Sequence, residues 1–294
     1  MHMPCAGGRT EEGSIVGDRY ILGSSLGSGG LAFVRLATDR VLGRTVAVKC
    51  MHPALRRNAE DRQRVQREAL IAASIAHPNV CATLDAGTLP DGSPFVVMER
   101  LEGETLEQRL STARLPVVEA LDVAIQALAG LAAAHAASVL HRDIKPGNVF
   151  LVSGQHRPLV KLLDFGAAHS SNDSELTPLG LTVGTPHYLA PEQTTGTRGL
   201  DQRVDVYALG LLLYEMLSGR RAFAGTSYLE LLGRIRSGSV EPLDRICPQI
   251  PTSITRIVAR AMSVDRDYRF TTAVELLDAL VGPYFTELRR VTAE

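Results

Sequence analysis

Lysine is nearly missing from this chain. Of 31 basic residues three are lysine, at Lys49, Lys145 and Lys161, and the other 28 are arginine. Cysteine is also scarce: Cys5, Cys50, Cys81 and Cys247 form no CxxC pair and no metal-ligand spacing. That leaves no zinc module to be read from spacing, and favours reduced thiols in a cytoplasmic protein. Charge of one sign is lacking as well, since 31 basic against 32 acidic residues leave a net charge of −1. Such a balance gives no electrostatic footprint for nucleic acid or an anionic membrane. Long hydrophobic runs are wanting too. Of the two most apolar tracts, 117–140 is broken by Glu119, Asp122, Gln126 and His135, and 206–217 has only the length of a buried core helix. No membrane segment is therefore expected. Residues 1–18 are small and polar, without the apolar core of a secretory signal, and read as a disordered leader or a cloning remnant.

What is present changes character once along the 294 residues. From Tyr20 to Met98 there are short β-rich runs (YILGSSL, FVRLA, TVAVKC, PFVVME), with one helical stretch at 59–76 among them. After Gly103 the pattern turns to long helical periods at 104–111, 116–137, 203–218, 226–236, 252–262 and 271–281. Two short strand candidates, 149–152 and 160–163, fall between them. The expected class is α+β: an antiparallel β lobe at 19–101, a larger helical lobe at 102–284, and a tail at 285–294. A cleft between two such lobes is a common place for a ligand.

Gly27, Ser28, Gly29 and Gly30 sit between two strand candidates. Glycines let backbone N–H groups approach a polyphosphate closely, although the same cluster would serve a plain hairpin turn. Ala32 stands where a third glycine of G-x-G-x-x-G would fall. Val46-Ala47-Val48-Lys49 adds weight, because Ala47 and Lys49 share one face of a strand. Lys49 is then either a surface charge or a compact cation reaching phosphate oxygens beside a small residue that admits a base. In the helix at 59–76, Val65, Glu68, Ala72 and Ile75 share a stripe, which puts Glu68 inward. An inward carboxylate needs a partner, and Lys49 is the candidate; a solvated helix-edge position is the alternative.

Two acidic sites complete the set. His141-Arg142-Asp143, with Lys145 and Asn148, occupies a loop between helix and strand, and Asp164-Phe165-Gly166 follows a strand end. Asn148 and Asp164 offer the hard oxygen ligands that Mg²⁺ shares with substrate phosphates. Asp143 is then free to orient a hydroxyl and accept its proton.

With these residues in place the chain resembles the eukaryotic-type protein kinases, and within them the bacterial serine/threonine branch. The motifs stand in family order: Gly27-Ser28-Gly29-Gly30, VAVK at 46–49, Glu68, HRDIKPGN at 141–148, DFG at 164–166, GTPHYLAPEQ at 184–193 and Asp205 in RVDVYALG. The resemblance runs from about Tyr20 to Gly282. It implies a two-lobed kinase fold and transfer of the γ-phosphoryl group of ATP to Ser or Thr hydroxyls of proteins, with Mg²⁺, or alternatively Mn²⁺, as cofactor. Lys145 would contact the γ-phosphate. Met98 would guard the back of the nucleotide pocket, Glu99 to Leu101 would be the hinge that bonds adenine, and Val34, Ala47 and Phe150 would enclose the base. Glu192 with Arg269 would form a buried structural ion pair, and Asp205 would anchor the catalytic loop. Thr177 and Thr182 are the expected sites of regulatory autophosphorylation, carried out between two transiently paired molecules. A nucleotide-binding pseudokinase or scaffold is the alternative, and the retained Lys49, Glu68, Asp143, Asn148 and Asp164 argue against it.

Overall fold

Alternation with period two builds the first half of the molecule. In the computed structural model, which describes residues 11–28, 32–51, 75–89, 91–154, 157–165, 186–197, 199–225 and 227–293, the chain divides into two units. The first lies within Met1–Ser74 and Cys81–Glu102, the second within Ile75–Val80 and Gly103–Glu294. Among its described residues the first unit is a six-stranded antiparallel sheet of β1 (Ile15–Val16), β2 (Tyr20–Ser28), β3 (Ala32–Asp39), β4 (Thr45–Met51), β5 (Thr83–Thr88) and β6 (Pro94–Glu99), in the order β1-β2-β3-β4-β6-β5, and the helix expected at 59–76 lies outside them but for its last two positions. Val46, Val48 and Cys50 on one face of β4 are fully buried, in a core with Leu22, Phe95 and Val97. Each aliphatic side chain removed from water in this way contributes roughly 1.5–3 kcal/mol.

Two elements of this sheet escape the sequence pattern. Ile15 and Val16 fall in the stretch assigned to the leader, yet they pair with Ile21 and Tyr20, and Val16 is buried in the core. A two-residue strand is too short to show alternation. The β5 segment, TLDAGT, is rich in residues that strands avoid, but it pairs with β6 from Thr88–Pro94 to Thr83–Met98. Its glycine is explained by Phe95: a Cβ on Gly87 would lie 2.6 Å from the Phe95 ring, and one on Gly17 2.7 Å from it. The two glycines make the slot that this ring fills.

Among its described residues the second unit joins a small antiparallel sheet, β7 (Gly103–Thr105), β8 (Val149–Val152) and β9 (Leu159–Leu162), to seven helices. These are α1 (Leu106–Thr112), α2 (Val117–Ala136), α3 (Arg203–Ser218), α4 (Tyr228–Ser237), α5 (Leu243–Ile246), α6 (Thr252–Ala261) and α7 (Ala273–Ala293). Thr105 caps α1, its side chain accepting from the Gln108 N–H while Gln108 accepts from the Thr105 N–H, a reciprocal capping box. Helix α2 has a mean hydropathy of 1.7 over 18 residues, long and apolar enough to cross a membrane by length and composition. Ten of its 20 residues, Leu121, Leu128 and Leu131 among them, are buried in the fold, the pattern of a core helix. In α3 thirteen of sixteen residues are buried, so this helix is enclosed on all sides. The single-turn α5 has no counterpart in the sequence reading. Helix α7 also differs: the expected period ends at 281, but the helix carries Pro283 inside it and continues to Ala293, through the expected tail.

Candidate active site

In the first unit, β3, β4 and β6 set five of the predicted positions by register. Lys49 pairs with Val34 on one side and Val96 on the other, and Ala47 pairs with Met98. Ala47 is buried, Lys49 half-buried, as expected for a face that a small residue and an ammonium share. Gly27 and Ser28 end β2 opposite Val34 and Phe33, after two irregularities in register. A Cβ on Gly27 would meet nothing within 4 Å, so open space lies above it. Glu99 closes β6: its N–H donates to the Ala82 carbonyl at 3.0 Å, and its Oε1 accepts from the Ala82 N–H at 2.7 Å. Leu101 follows beyond the strand. Gly29, Gly30, Glu68, Thr177 and Thr182 lie outside the described residues, and with them the expected Lys49–Glu68 pair.

The second unit carries the acidic sites. Asp143 follows α2 in an irregular loop that ends in a 3-10 turn, Pro146–Asn148. Lys145 Nζ donates to Asp143 Oδ2 at 2.6 Å, and Asn148 Nδ2 donates to the same oxygen at 2.9 Å and to the Asp143 carbonyl at 2.7 Å. Both side-chain donors therefore converge on Oδ2, and Oδ1 is the oxygen left to meet a hydroxyl. With its nitrogen committed to Asp143, Asn148 presents its amide oxygen as the atom for a cation. The Leu163 N–H donates to the Asn148 carbonyl at 2.9 Å, which ties the loop to the strand end that bears Asp164. Asp164 has φ +57° and Arg142 φ +61°, left-handed conformations that non-glycine residues adopt only when their surroundings hold them there. Phe150 lies in β8 between Thr105 and Lys161.

The hold on Arg142 comes from Asp205, fully buried in the first turn of α3. Its carboxylate accepts from the Arg142 N–H at 2.7 Å, the His141 N–H at 2.9 Å and His135 Nε2 at 2.8 Å. Burial alone would raise the pKa of Asp205. The His135 hydrogen bond, the two nearby imidazoles and the backbone donor outweigh it, keeping the carboxyl below its ordinary range. His141 is buried with its ring against Phe165, centroids 4.6 Å apart. Its Nε2 meets the Leu163 carbonyl at 2.8 Å, and its Nδ1 accepts a long 3.4 Å bond from the Asp143 N–H. Only a neutral ring protonated at Nε2 satisfies both contacts, and burial indeed depresses the His141 pKa against the pull of Asp205 and Asp143.

The 3-10 segments at Pro186–Tyr188 and Pro191–Thr195 frame the same loop. Glu192 forms a two-pronged pair with the buried Arg269, at 2.7 and 2.9 Å. Arg269 also donates to the carbonyls of Ser263, Arg203 and Val264. Tyr188 donates to Glu215, a carboxyl that burial shifts upward. Gln193 Nε2 reaches the Arg142 carbonyl at 3.4 Å. His135 and Gln193 are additions to the expected site. A lone histidine on an apolar helix reads as core, and only its place six residues before His141 hints at more.

The model of the protein kinase domain matches residues 20–285. The serine/threonine-protein kinase PksC of Streptomyces coelicolor is 37% identical over 282 residues, which cover 92% of this chain and 50% of that one. PrkC of Bacillus subtilis is 35% identical over 267 residues, 90% of this chain and 40% of its own. A probable serine/threonine-protein kinase of Clostridium perfringens is 36% identical over 269 residues, 91% and 38%. The chain thus spans half or less of the length of these curated relatives. Among solved structures, the PknI kinase domain of Mycobacterium tuberculosis superposes with a TM-score of 0.73 at 27% identity, covering 92% of this chain and 97% of that one.

Proposed function

The chain belongs to the protein kinase domain family, and from that membership we propose that it transfers the γ-phosphoryl group of ATP to Ser or Thr hydroxyls of protein substrates. The observation that carries this reading is the Asp143 carboxylate, braced on one oxygen by Lys145 and Asn148 and set on a backbone that Asp205 holds. Asp143 Oδ1 orients the substrate hydroxyl and accepts its proton. Lys145 neutralises charge as the phosphoryl group moves, and its compact ammonium suits the short 2.6 Å contact better than the wider fork of arginine would. Catalysis then rests on positioning and charge neutralisation, without a covalent enzyme intermediate.

The remaining roles follow the same reading. Gly27, Ser28, Gly29 and Gly30 offer backbone N–H groups to the phosphates, and Lys49, aligned by Glu68, pairs with phosphate oxygens. Val34, Ala47 and Phe150 enclose the base, Met98 backs the pocket, and the backbone of Glu99 and Leu101 meets the adenine edge. Asn148 and Asp164 fit a Mg²⁺ ion: both are hard oxygen donors, and the Asn148 amide already turns its nitrogen away to Asp143. Among the described residues no group of three or more His, Cys, Asp or Glu could hold a metal. That suits an ion shared with nucleotide phosphates, and Mn²⁺ would serve in the same set. When bound, the ion neutralises charge on the phosphates. We place the reaction in the cytoplasm, with no nucleic-acid partner.

Transfer from labelled ATP to a generic protein substrate tests this. Asp143→Asn is expected to keep ATP binding and lose transfer by about 10² or more. Equal transfer by the variant and the parent chain would overturn the assignment.

A further inference from the structure

Helix α7 carries two apolar stripes where packing within one chain needs only one. Ala273, Leu276 and Leu280 are buried in the second unit, and the buried Glu287 extends that face. The other stripe follows a heptad. Val274, Val281 and Leu288 stand seven apart, and Leu277, Tyr284 and Val291 stand seven apart between them. Alternating steps of three and four are the spacing of a helix–helix seam. Val274 and Val291 at its ends are exposed, and Leu277, Val281, Tyr284 and Leu288 between them are half-buried. Val274 at one end is 51% exposed, Val291 at the other 60%, and Phe285 beside the seam 52%. On a helix of 3.6 residues per turn the two stripes lie roughly 80° apart, so burying the first leaves the second only partly covered. Gly282 and Pro283 fall off the seam and do not interrupt it.

Two features identify the occupant. The seam is self-complementary when reversed. About a two-fold axis between Gly282 and Pro283, Val274 meets the second copy's Val291, Leu277 meets its Leu288, and Val281 meets its Tyr284. One symmetry operation gives every seam position an apolar partner, as an isologous contact requires. Charge selects the same orientation. Asp278 flanks the seam in the first half of the helix, and Arg289 lies on that flank in the second half. Reversal sets this flank of one helix against the same flank of the other and brings Asp278 beside the second copy's Arg289. Glu275, also near the first end, is already bonded to Arg260 at 2.6 Å.

We propose that α7 is a self-association surface, pairing antiparallel with α7 of a second copy through Val274, Leu277, Val281, Tyr284, Leu288 and Val291. The surface stands apart from the phosphotransfer residues, so the two readings fail separately. A single helix pair is a small interface, and self-association with Kd on the order of 10 μM is expected. Sedimentation equilibrium of the whole chain over a range of concentrations measures it. Val291→Asp and Val274→Asp change exposed positions, so the fold should hold by circular dichroism while Kd rises by about tenfold or more. Asp278→Arg and Arg289→Asp should each weaken association, and the two together should restore it. On a Cys5→Ser background, a chain with both Val274→Cys and Val291→Cys should form a covalent dimer with an added oxidant, and neither single variant should. A chain that stays monomeric at the highest concentration reached overturns the proposal, as does association untouched by both aspartates. Cross-linking of either single variant overturns the antiparallel arrangement.

Discussion

Three donors converge on the carboxylate of Asp205, and two of them are the backbone N–H groups of His141 and Arg142. A left-handed conformation costs a non-glycine residue roughly 1–2 kcal/mol, so the φ of +61° at Arg142 persists because that carboxylate holds it. The neutral ring of His141 makes stability depend on pH. Its folded pKa lies below the ordinary 6.5, so the unfolded chain takes up the proton more readily. Stability should be full above about pH 6.5 and fall as pH drops below it, by up to about 1.4 kcal/mol per unit, until the folded pKa is reached. His187, also held low by burial, acts in the same direction. Urea denaturation across this range should show a flatter slope for His141→Asn, even though that variant starts less stable. A second expectation concerns Lys49, whose register opposite Val34 and Val96 fixes how far its side chain reaches. Lys49→Arg should fold normally and transfer phosphate at least about tenfold more slowly, since the wider guanidinium cannot take the same place. Wild-type kcat/KM in that variant would show that an ammonium is not required. Scarcity made the lysines legible, and the octet at 141–148 made Asp143 so. His135 was not, because nothing in an apolar helix marks which histidine will meet a buried acid.

At the level of elements, strands β2, β3, β4 and β6 and the longer helices were readable because each keeps one period long enough to show. Strand β5 was hidden, since its sequence suits a contact with Phe95 rather than a strand. Gly130 in α2 makes a similar point. A Cβ there would lie 2.7 Å from the Asn79 carbonyl oxygen and 3.1 Å from Leu162 Cδ1. Helix propensity alone favours alanine by about 1 kcal/mol. The neighbour is backbone, held by the Leu162 N–H to Asn79 carbonyl bond of 2.9 Å, and cannot swing aside. Gly130→Ala should therefore lower stability by about 1–3 kcal/mol in chemical denaturation. An increase would mean that the Asn79 segment yields.

On the scale of the whole molecule, the two-part organisation was visible as a change of period near Gly103. The pairing of Glu192 with Arg269 was reached only through the family resemblance, because 77 positions separate the partners. Control of activity belongs to this scale as well. We expect phosphate at Thr177 or Thr182, where about −1.5 to −2 charges would meet Arg142. Mass spectrometry of the chain expressed alone should find it, and Asp143→Asn should lack it. If one molecule modifies another, the initial rate should rise with the square of enzyme concentration. No phosphate anywhere in 167–189 of an active preparation would rule this control out.

The bracing of the catalytic loop by Asp205 also bears on how the protein is made. Synthesis runs from the N-terminus, so the loop at 141–148 leaves the ribosome before the acid that shapes it. Until α3 has followed, His141 and Arg142 have no carboxylate to bond and Arg142 has no reason to hold its left-handed turn. Arg269, which secures Glu192 beside the same loop, emerges later still. A nascent chain halted before residue 203 would carry every residue of the octet but not the carboxylate that holds His141 and Arg142, so the proposed phosphotransfer is expected only after most of the second unit has been translated.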